Sequence, residues 1–327
     1  MDRQAGSGYD EGMNEGTVAQ HTREPAWRRW WAYQAERFPL ATHLVGIVLF
    51  FGLAHGGAVA LAGDGPIRLD GRAAAAFGLT FLVFLLLRVM DEFKDFADDA
   101  INHPDRVVQR GIITLAELRV LGWGIAVSMA LLALSLGRWG LIGFGAVTLF
   151  ALLMRVEFFI GAWLRPRVLT YALLHQGIVP LLCIAVGVLP VGPRGLGPEF
   201  GLVVGVAVGL GLVFELTRKA RAPEEEIATL DTYTRIHGPG LTSLASAAAM
   251  GLGVCSSVWL ALRLALPPGS SVLILLSGLV GVAILLAFAL RPRPSSAKAV
   301  RAMGTAVFVL IQAALVVGLV AGRGVSL

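Results

Sequence analysis

Nine long apolar runs constrain this chain more than any other feature of its sequence. They cover residues 38–62, 73–90, 115–136, 139–161, 168–190, 198–216, 239–263, 270–290 and 299–321. A helix of about 20 apolar residues crosses the hydrocarbon core of a bilayer. Of the 327 residues, 56% are hydrophobic and 15% are charged, whereas about a quarter are charged in a soluble domain. The sequence therefore predicts an all-α membrane protein with about nine transmembrane helices.

The basic residues indicate how these helices are oriented. Residues 1–37 and the loops 88–119, 155–167, 218–235 and 291–301 hold 21 of the 27 lysines and arginines. The other six are Arg68, Arg72, Arg138, Arg194, Arg263 and Arg323. Because basic loops stay on the cytoplasmic side, we expect a multi-pass protein of the cytoplasmic (inner) membrane with its N-terminus inside and its C-terminus outside. The basic residues form no stripe with interleaved aromatics on a soluble domain, so we expect no nucleic-acid partner.

The N-terminal region differs from the rest of the chain. Residues 1–35 are polar and lack an apolar signal-peptide core, so we expect a cytoplasmic and largely disordered tail. The tail ends in a segment that mixes Trp27, Trp30 and Trp31 with arginines. This mixture is typical of a helix lying at the membrane interface, and an ordinary aromatic belt gives the same pattern. Residues 36–327 form the transmembrane domain.

A cluster of acids follows the second apolar run. Asp91, Asp95 and Asp99 have a spacing of four residues, and Glu92 lies one position round the helix. Such residues share a helix face, where each pair of like charges costs roughly 3 kcal/mol at an effective dielectric near 20. A divalent cation removes that repulsion, and Mg²⁺ binds carboxylates together with substrate phosphates. We therefore predict Asp91, Glu92, Asp95 and Asp99 as metal ligands. The alternative interpretation is a solvated acidic loop.

Two arginines follow this cluster in the short loop before the third span. Arg106 and Arg110 are predicted to bind phosphate oxygens, which arginine contacts through paired N–H donors. The third span begins after Thr114 with Glu117 three residues on, which is the spacing of a capping box.

The same residues carry a resemblance to a known family. The cluster from Asp91 to Asp99 and the following segment HPDRVVQRGIIT resemble the Asn-Asp-x-x-Asp-x-x-x-Asp motif of UbiA-type intramembrane prenyltransferases and the Pro/Arg/Gly segment after it. Aspartate replaces the first asparagine and glutamate the first aspartate, and both keep oxygen ligands. By number of spans the resemblance covers essentially the whole chain. It implies a UbiA-like bundle around a central, lipid-open cavity with a charged cytoplasmic mouth.

A second charged loop follows the sixth span, four spans after the first. It runs from Glu215 through Arg218 and Lys219 to the acids Glu224, Glu225 and Glu226. The resemblance implies a second acidic motif here, but glutamates replace its aspartates and basic residues interrupt it. We predict Glu215 as a metal ligand, and Arg218 and Lys219 as contacts to the diphosphate. Alternatively, Lys219 pairs with Glu215, and the glutamate run is a solvated helix start after Pro223.

A polar pair opens the fifth span. Tyr171 and His175 are four residues apart and therefore share a helix face. Tyr171 is a candidate contact for the substrate head group, and the alternative is a polar contact between helices.

The resemblance implies Mg²⁺-dependent transfer of a prenyl group from a prenyl diphosphate to a lipophilic acceptor, often aromatic or a quinone precursor, inside the bilayer. Asp91, Asp95 and Lys219 are then the predicted catalytic residues, and Mg²⁺ the cofactor. Three alternatives stay open: terpene cyclisation on the same fold, transfer to or from a polyprenyl-phosphate partner, and a membrane transporter. Intramembrane acids of a transporter lie near the bilayer midplane, whereas these lie at the ends of spans.

Overall fold

The protein is almost entirely helical. The computed structural model describes residues 24–63 and 65–327. Its α-helices, in chain order, are α1 Ala26–Arg37, α2 Leu40–Phe51, α3 Gly57–Ala62, α4 Gly71–Lys94, α5 Phe96–Asn102, α6 Leu115–Ser135, α7 Arg138–Arg155, α8 Gly161–Leu164, α9 Val168–His175, α10 Ile178–Val191, α11 Phe200–Arg218, α12 Tyr233–Arg263, α13 Pro268–Leu290 and α14 Pro294–Arg323. Two-residue strands, β1 Ile67–Arg68 and β2 Val325–Ser326, pair in parallel.

The predicted spans are confirmed. The described residues hold nine helical segments that are long and apolar enough to cross a membrane: Leu40–Ala62, Gly71–Lys94, Leu115–Ser135, Arg138–Arg155, Val168–Val191, Phe200–Arg218, Tyr233–Arg263, Pro268–Leu290 and Pro294–Arg323. Each overlaps one apolar run of the sequence, as expected of a multi-pass integral membrane protein. The orientation of the termini and the central cavity stay predictions.

Three spans are interrupted where the sequence contains glycine. The first has a π-helical turn at Gly52–Gly56, and the fifth consists of α9 and α10, joined at Gln176 and Gly177. In the seventh, Gly238 has a φ of 78°, directly before Pro239. A proline lacks the amide donor for a continuous helix, and glycine takes this φ without a clash. The hydropathy pattern starts this span at 239, directly after the kink, although the helix begins at Tyr233.

The helix predicted at the end of the N-terminal tail is confirmed. A helix forms over Ala26–Arg37, with Trp27 and Trp31 exposed. The position of this helix at a membrane surface stays a prediction. Most of the predicted disordered tail, residues 1–23, lies outside the described residues.

The chain divides into two compact units. Within the described residues, the first comprises residues 24–43 and Phe84–Val127, and the second comprises residues 44–63, 65–83 and Ser128–Leu327. In the second unit α11 packs against α12, α12 against α13, and α13 against α14, while α10 packs on α7 and α11. The acidic cluster lies in the first unit, and the second charged loop lies in the second.

Glycines set the distance between α11 and α12. Gly201, Gly205 and Gly209 recur at four-residue spacing, a pattern that lets membrane helices approach closely. A Cβ atom at Gly209 would lie 2.6 Å from the Cα atom of Gly253 and 2.9 Å from the carbonyl oxygen of Ala249. A Cβ atom at Gly201 would meet no atom within 4 Å. The backbones of α11 and α12 therefore approach closely at Gly209 and have open space at Gly201.

We expect Gly209→Ala to destabilise the protein by about 1–3 kcal/mol, since two backbones must separate to admit the methyl group. Gly201→Ala makes the same chemical change on the same helix where space is open, and it should leave stability nearly unchanged. Thermal unfolding of the purified proteins in detergent measures both effects. Equal melting temperatures for the two variants would contradict this account of the helix contact.

Candidate functional site

The three aspartates keep helical register at the end of the second span. Helix α4 ends at Lys94, and Asp95 has φ −95° and ψ 3° before α5 begins at Phe96. The amide of Asp95 still donates to the Asp91 carbonyl at 2.8 Å, and the amide of Asp99 donates to the Asp95 carbonyl at 2.8 Å. The backbone hydrogen bonds therefore keep the four-residue spacing across the junction of α4 and α5, and a common side for the side chains of Asp91, Asp95 and Asp99 stays a prediction.

Glu92 is buried, and two arginines balance its charge. Its side chain has no exposed surface. Arg37 donates through Nε at 2.7 Å and Nη2 at 3.2 Å, and Arg88 donates through Nη2 at 2.7 Å. A buried carboxylate without such partners is strongly disfavoured, so the two guanidinium groups supply the opposite charge that Glu92 needs away from water.

Arg37 also binds the last aspartate of the cluster. Its Nη2 lies 3.2 Å from Oδ2 of Asp99, and Arg106 forms an ion pair with the same carboxylate oxygen. Arg37 therefore joins the end of α1 to both α4 and α5. Sequence reasoning assigned no chemistry to Arg37 and overlooked Arg88, although Arg88 stands four residues before Glu92 and so shares its helix face.

Asp91 and Asp95 are placed differently from Glu92 and Asp99. Both are half-buried, and the Asp95 side chain makes no capping hydrogen bond to α5. Burial raises the pKa of the Asp95 carboxyl; nearby Lys94 lowers it, and the carboxylate of Asp99 raises it further. Asp95 is thus a carboxylate whose charge burial disfavours, and a bound cation would relieve that cost.

No group of three or more His, Cys, Asp or Glu side chains in the described part of the chain is arranged to hold a metal ion. Two carboxylates with substrate oxygens and water are the usual protein share of a Mg²⁺ site. Asp91 and Asp95 meet that requirement in residue type and register. Metal binding by Asp91, Glu92, Asp95 and Asp99 stays a prediction, and arginines hold two of these four carboxylates.

The loop after the cluster is fixed within the first unit. Glu36 accepts a hydrogen bond from the amide of Val107 at 3.0 Å. The predicted capping box is confirmed: the Thr114 amide donates to Glu117 at 2.9 Å, and the Glu117 amide donates to the Thr114 hydroxyl at 3.2 Å. Of the two predicted phosphate contacts in this loop, Arg106 pairs with Asp99, while Arg110 is exposed.

In the second unit, Glu215 is the centre of a cluster of polar contacts. Its carboxylate accepts from Arg218 Nε at 2.6 Å and from Lys219 Nζ at 3.0 Å. The hydroxyl of Tyr233 donates to Oε1 at 2.9 Å, and Lys219 Nζ lies 5.4 Å from the centroid of the Tyr233 ring. These donors occupy both oxygens of Glu215, so the carboxylate orients Lys219 and Arg218, whose side chains are partly exposed. Metal binding by Glu215 stays a prediction.

The glutamate run beyond this cluster has structural partners. Pro223–Glu225 forms a single 3₁₀ turn. Arg301 donates to Glu225 at 3.1 Å, and this hydrogen bond lowers the pKa of the Glu225 carboxyl. Glu226 accepts from the hydroxyls of Thr232 and Thr234 at 2.7 and 2.6 Å. These contacts hold the loop in shape and account for two of the three glutamates.

An aromatic row extends along the start of the fifth span. The rings of Tyr171 and His175 stack with centroids 4.0 Å apart, which confirms that they share a face. The ring of Phe158 meets His175 edge-on at 5.7 Å and Phe150 at 5.4 Å. Binding of a substrate head group by Tyr171 stays a prediction.

The row depends on a left-handed turn that sequence reasoning missed. Glu157, Phe158 and Phe159 have φ values of 50°, 55° and 60°, which cost roughly 1–2 kcal/mol each for non-glycine residues. Buried Glu157 accepts from Arg165 at 2.8 Å, and this ion pair helps to hold the turn. Helix α7 ends at Arg155, before the apolar run 139–161 does. Sequence reasoning missed the turn because no glycine or proline marks it.

Comparisons with known proteins agree with this architecture. No protein-family model matches the chain, and no curated protein matches it. A solved structure of a digeranylgeranylglyceryl phosphate synthase superimposes with a TM-score of 0.57 at 16% identity, over 86% of this chain and 99% of that one. The apo structure of a UbiA homologue from Aeropyrum pernix K1 superimposes with a TM-score of 0.58 at 15% identity, over 83% of this chain and 97% of that one.

Both similarities extend over nearly the whole length of the solved chains. At such low identity they concern the fold, and they agree with the resemblance carried by Asp91 to Asp99. The chain has the fold of the UbiA-type superfamily.

Proposed function

We propose that this protein transfers a prenyl group from a prenyl diphosphate to a lipophilic acceptor within the membrane, with Mg²⁺ as cofactor. The observation that carries the proposal is the pair of backbone hydrogen bonds that link Asp91, Asp95 and Asp99 across the end of a membrane-spanning helix. The shared fold supports it, since one structural neighbour is a digeranylgeranylglyceryl phosphate synthase. A long apolar tail suits the bilayer, and a diphosphate suits charged residues at the ends of spans.

Asp91 and Asp95 are the proposed Mg²⁺ ligands. Glu92 and Asp99 are held by Arg37, Arg88 and Arg106, so their proposed role is to fix the junction of α4 and α5. Bound Mg²⁺ supplies charge neutralisation for the diphosphate as it leaves.

The basic side chains are the proposed contacts to the diphosphate. Arg110 is exposed in the loop after the acids, and we assign it to phosphate oxygens together with Arg106. In the second unit, Glu215 and Tyr233 hold Lys219, which keeps its ammonium group partly exposed. Lys219 and Arg218 are the proposed cationic donors of that cluster. Preorganised donors of this kind stabilise charge that develops on a leaving group.

The central experiment uses purified protein, Mg²⁺ and prenyl diphosphates of graded length. Pyrophosphate release is measured with and without acceptors. The acceptors are quinone precursors and prenylglyceryl phosphates, the latter because a structurally similar protein is a digeranylgeranylglyceryl phosphate synthase. Transfer predicts release that depends on an acceptor and a prenylated product. Acceptor-independent release with a cyclic product would instead establish a cyclase, and solute flux without turnover would establish a transporter.

We expect Asp95→Asn to reduce turnover at least a hundredfold, because the amide keeps the shape of the side chain but cannot neutralise a cation. Asp105→Asn removes a charge from the exposed loop nearby and should retain wild-type turnover. Raising the Mg²⁺ concentration should restore neither rate nor pyrophosphate release to Asp95→Asn. Full activity of this variant would end the assignment.

Arg37→Met tests the structural role of the buried network. It leaves Glu92 and Asp99 without one partner, and loss of one member of a buried ion pair costs about 3–5 kcal/mol. Arg28→Met changes an exposed arginine of the same helix and should cost much less. Glu92→Gln in the Arg37→Met background should recover part of the stability in thermal unfolding. If Arg37→Met and Arg28→Met unfold at the same temperature, Arg37 does not have this role.

Lys219→Gln should lower kcat/KM for the prenyl diphosphate about tenfold or more, since it removes a charged donor while leaving most of the side-chain volume. Lys298→Gln removes an exposed lysine near the start of α14 and serves as the matched control. Steady-state kinetics at varied diphosphate concentration compare the two. The same loss in both variants would show a general effect of surface charge.

A further inference from the structure

In the second unit, residues 67–69 form hydrogen bonds with residues 324–326 near the C-terminus. The amide of Ile67 donates to the Gly324 carbonyl at 3.1 Å, and the amide of Leu69 donates to the Ser326 carbonyl at 2.8 Å. Arg323 reaches the Ala60 carbonyl at 3.2 Å. These contacts hold the loop that connects α3 to α4 and shape the cavities beneath it.

Two cavities adjoin at this loop and differ in polarity. An apolar cavity of about 350 Å³ is lined by side chains that include Phe51, Phe77 and Leu319. A second cavity of about 400 Å³ includes Arg68, Asp70 and Arg72 in a lining that is otherwise mostly apolar, and we name it the polar cavity after these three residues. His55 and Ala73 line both. Each volume lies near the lower end of the range for small-ligand sites, and together they match a molecule with an apolar chain and a polar head.

His55, at the junction, has one ring nitrogen without a partner. The side chain is 5% exposed and stacks on Phe51 with ring centroids 5.1 Å apart. Its Nε2 lies 3.1 Å from the Arg68 carbonyl oxygen; because that oxygen only accepts, Nε2 carries the hydrogen. Nδ1 is then an acceptor in the neutral ring, and it has no hydrogen-bond partner among the described residues. A ligand hydroxyl would supply the missing donor.

His55 also belongs to the π-helical turn Gly52–Gly56. Such turns within α-helices frequently occur at functional sites.

The charge of the polar cavity favours an anion. Asp70 Oδ1 accepts from the amides of Arg72 and Ala73 at 2.9 and 3.0 Å, so its carboxylate caps the first turn of α4. The hydrogen bond from Ala73 lowers the pKa of this carboxyl. Arg68 and Arg72 contribute two guanidinium groups, and Arg72 Nη2 also donates to the Leu136 carbonyl at 3.1 Å. Guanidinium groups bind phosphate oxygens well.

We propose that this pair of cavities binds a phosphate-headed lipid whose head group carries a hydroxyl. One hydrocarbon chain fills the apolar cavity, Arg68 and Arg72 contact the phosphate, and the hydroxyl donates to Nδ1 of His55. The site lies at the start of α4, whereas Asp91 lies near the end of the same helix. The lipid is a bound ligand, and no chemical step is assigned to it.

The test measures lipid retained by the full-length protein. Protein from nanodiscs containing equal phosphatidylglycerol and phosphatidylcholine is transferred to detergent, and bound lipid is read by native mass spectrometry. Phosphatidylglycerol has both the anionic phosphate and the hydroxyls, so wild type should retain it at least fivefold over phosphatidylcholine. Added phosphatidylglycerol should also raise the melting temperature, because a ligand of the folded state stabilises it.

Arg68→Ala should lose this preference, while its strand pairing, made by the backbone, remains. Arg194→Ala removes the same charge from another exposed loop position outside the polar cavity and should behave as wild type. Ala73→Leu narrows the junction of the cavities and should reduce retention of both lipids.

Four results would overturn the proposal: no retained lipid, equal retention of the two lipids by wild type, equal loss in Arg68→Ala and Arg194→Ala, or displacement of the lipid by millimolar inorganic phosphate. The last would show a site for a free phosphate without a chain. If Arg68→Ala fails to fold, Arg72→Gln takes its place with the same expected loss of preference.

Discussion

The ion pairs of Arg37 are the interaction on which the candidate site depends. Five acids lie within nine residues at the end of a membrane span and repel one another, and such a segment needs compensating charge to stay folded. One guanidinium group contacts Glu92 and Asp99 together, while Arg88 and Arg106 complete the pairing. Glu92 and Asp99 thereby hold the backbone at the junction of α4 and α5, and we assign Asp91 and Asp95 to the cation.

In the second unit, too, carboxylates are paired with basic side chains. Glu215 is matched by Arg218 and Lys219 within one helical turn and by Tyr233 from the next span. The left-handed turn at Glu157 likewise depends on a buried carboxylate paired with Arg165. In both cases a partly or fully buried charge determines the position of its neighbours because leaving it unpaired is costly. Lys219 and Phe158 are positioned in this way.

Sequence reasoning predicted features that depend on nearest neighbours along the chain. The spans follow from apolar runs, the backbone hydrogen bonds that link Asp91, Asp95 and Asp99 follow from a four-residue spacing, and the capping box of Thr114 and Glu117 follows from a three-residue spacing. It did not predict the turn at Glu157, because no glycine or proline marks it. It also gave Arg37 no role, because a tryptophan-rich interfacial segment explains an arginine equally well.

The sequence by itself determined that the chain is a helical membrane protein and that acids accumulate at the end of its second span, since hydropathy and helical spacing are local properties. The tertiary structure alone decided which acids are matched by arginine. Arg37 lies 55 positions before Glu92 and 62 before Asp99, and no pattern in the sequence encodes so distant a contact. It likewise decided that His55 lies between an apolar and a polar cavity, because residues far apart in the sequence line them: Val191 in the polar cavity and Leu319 in the apolar one.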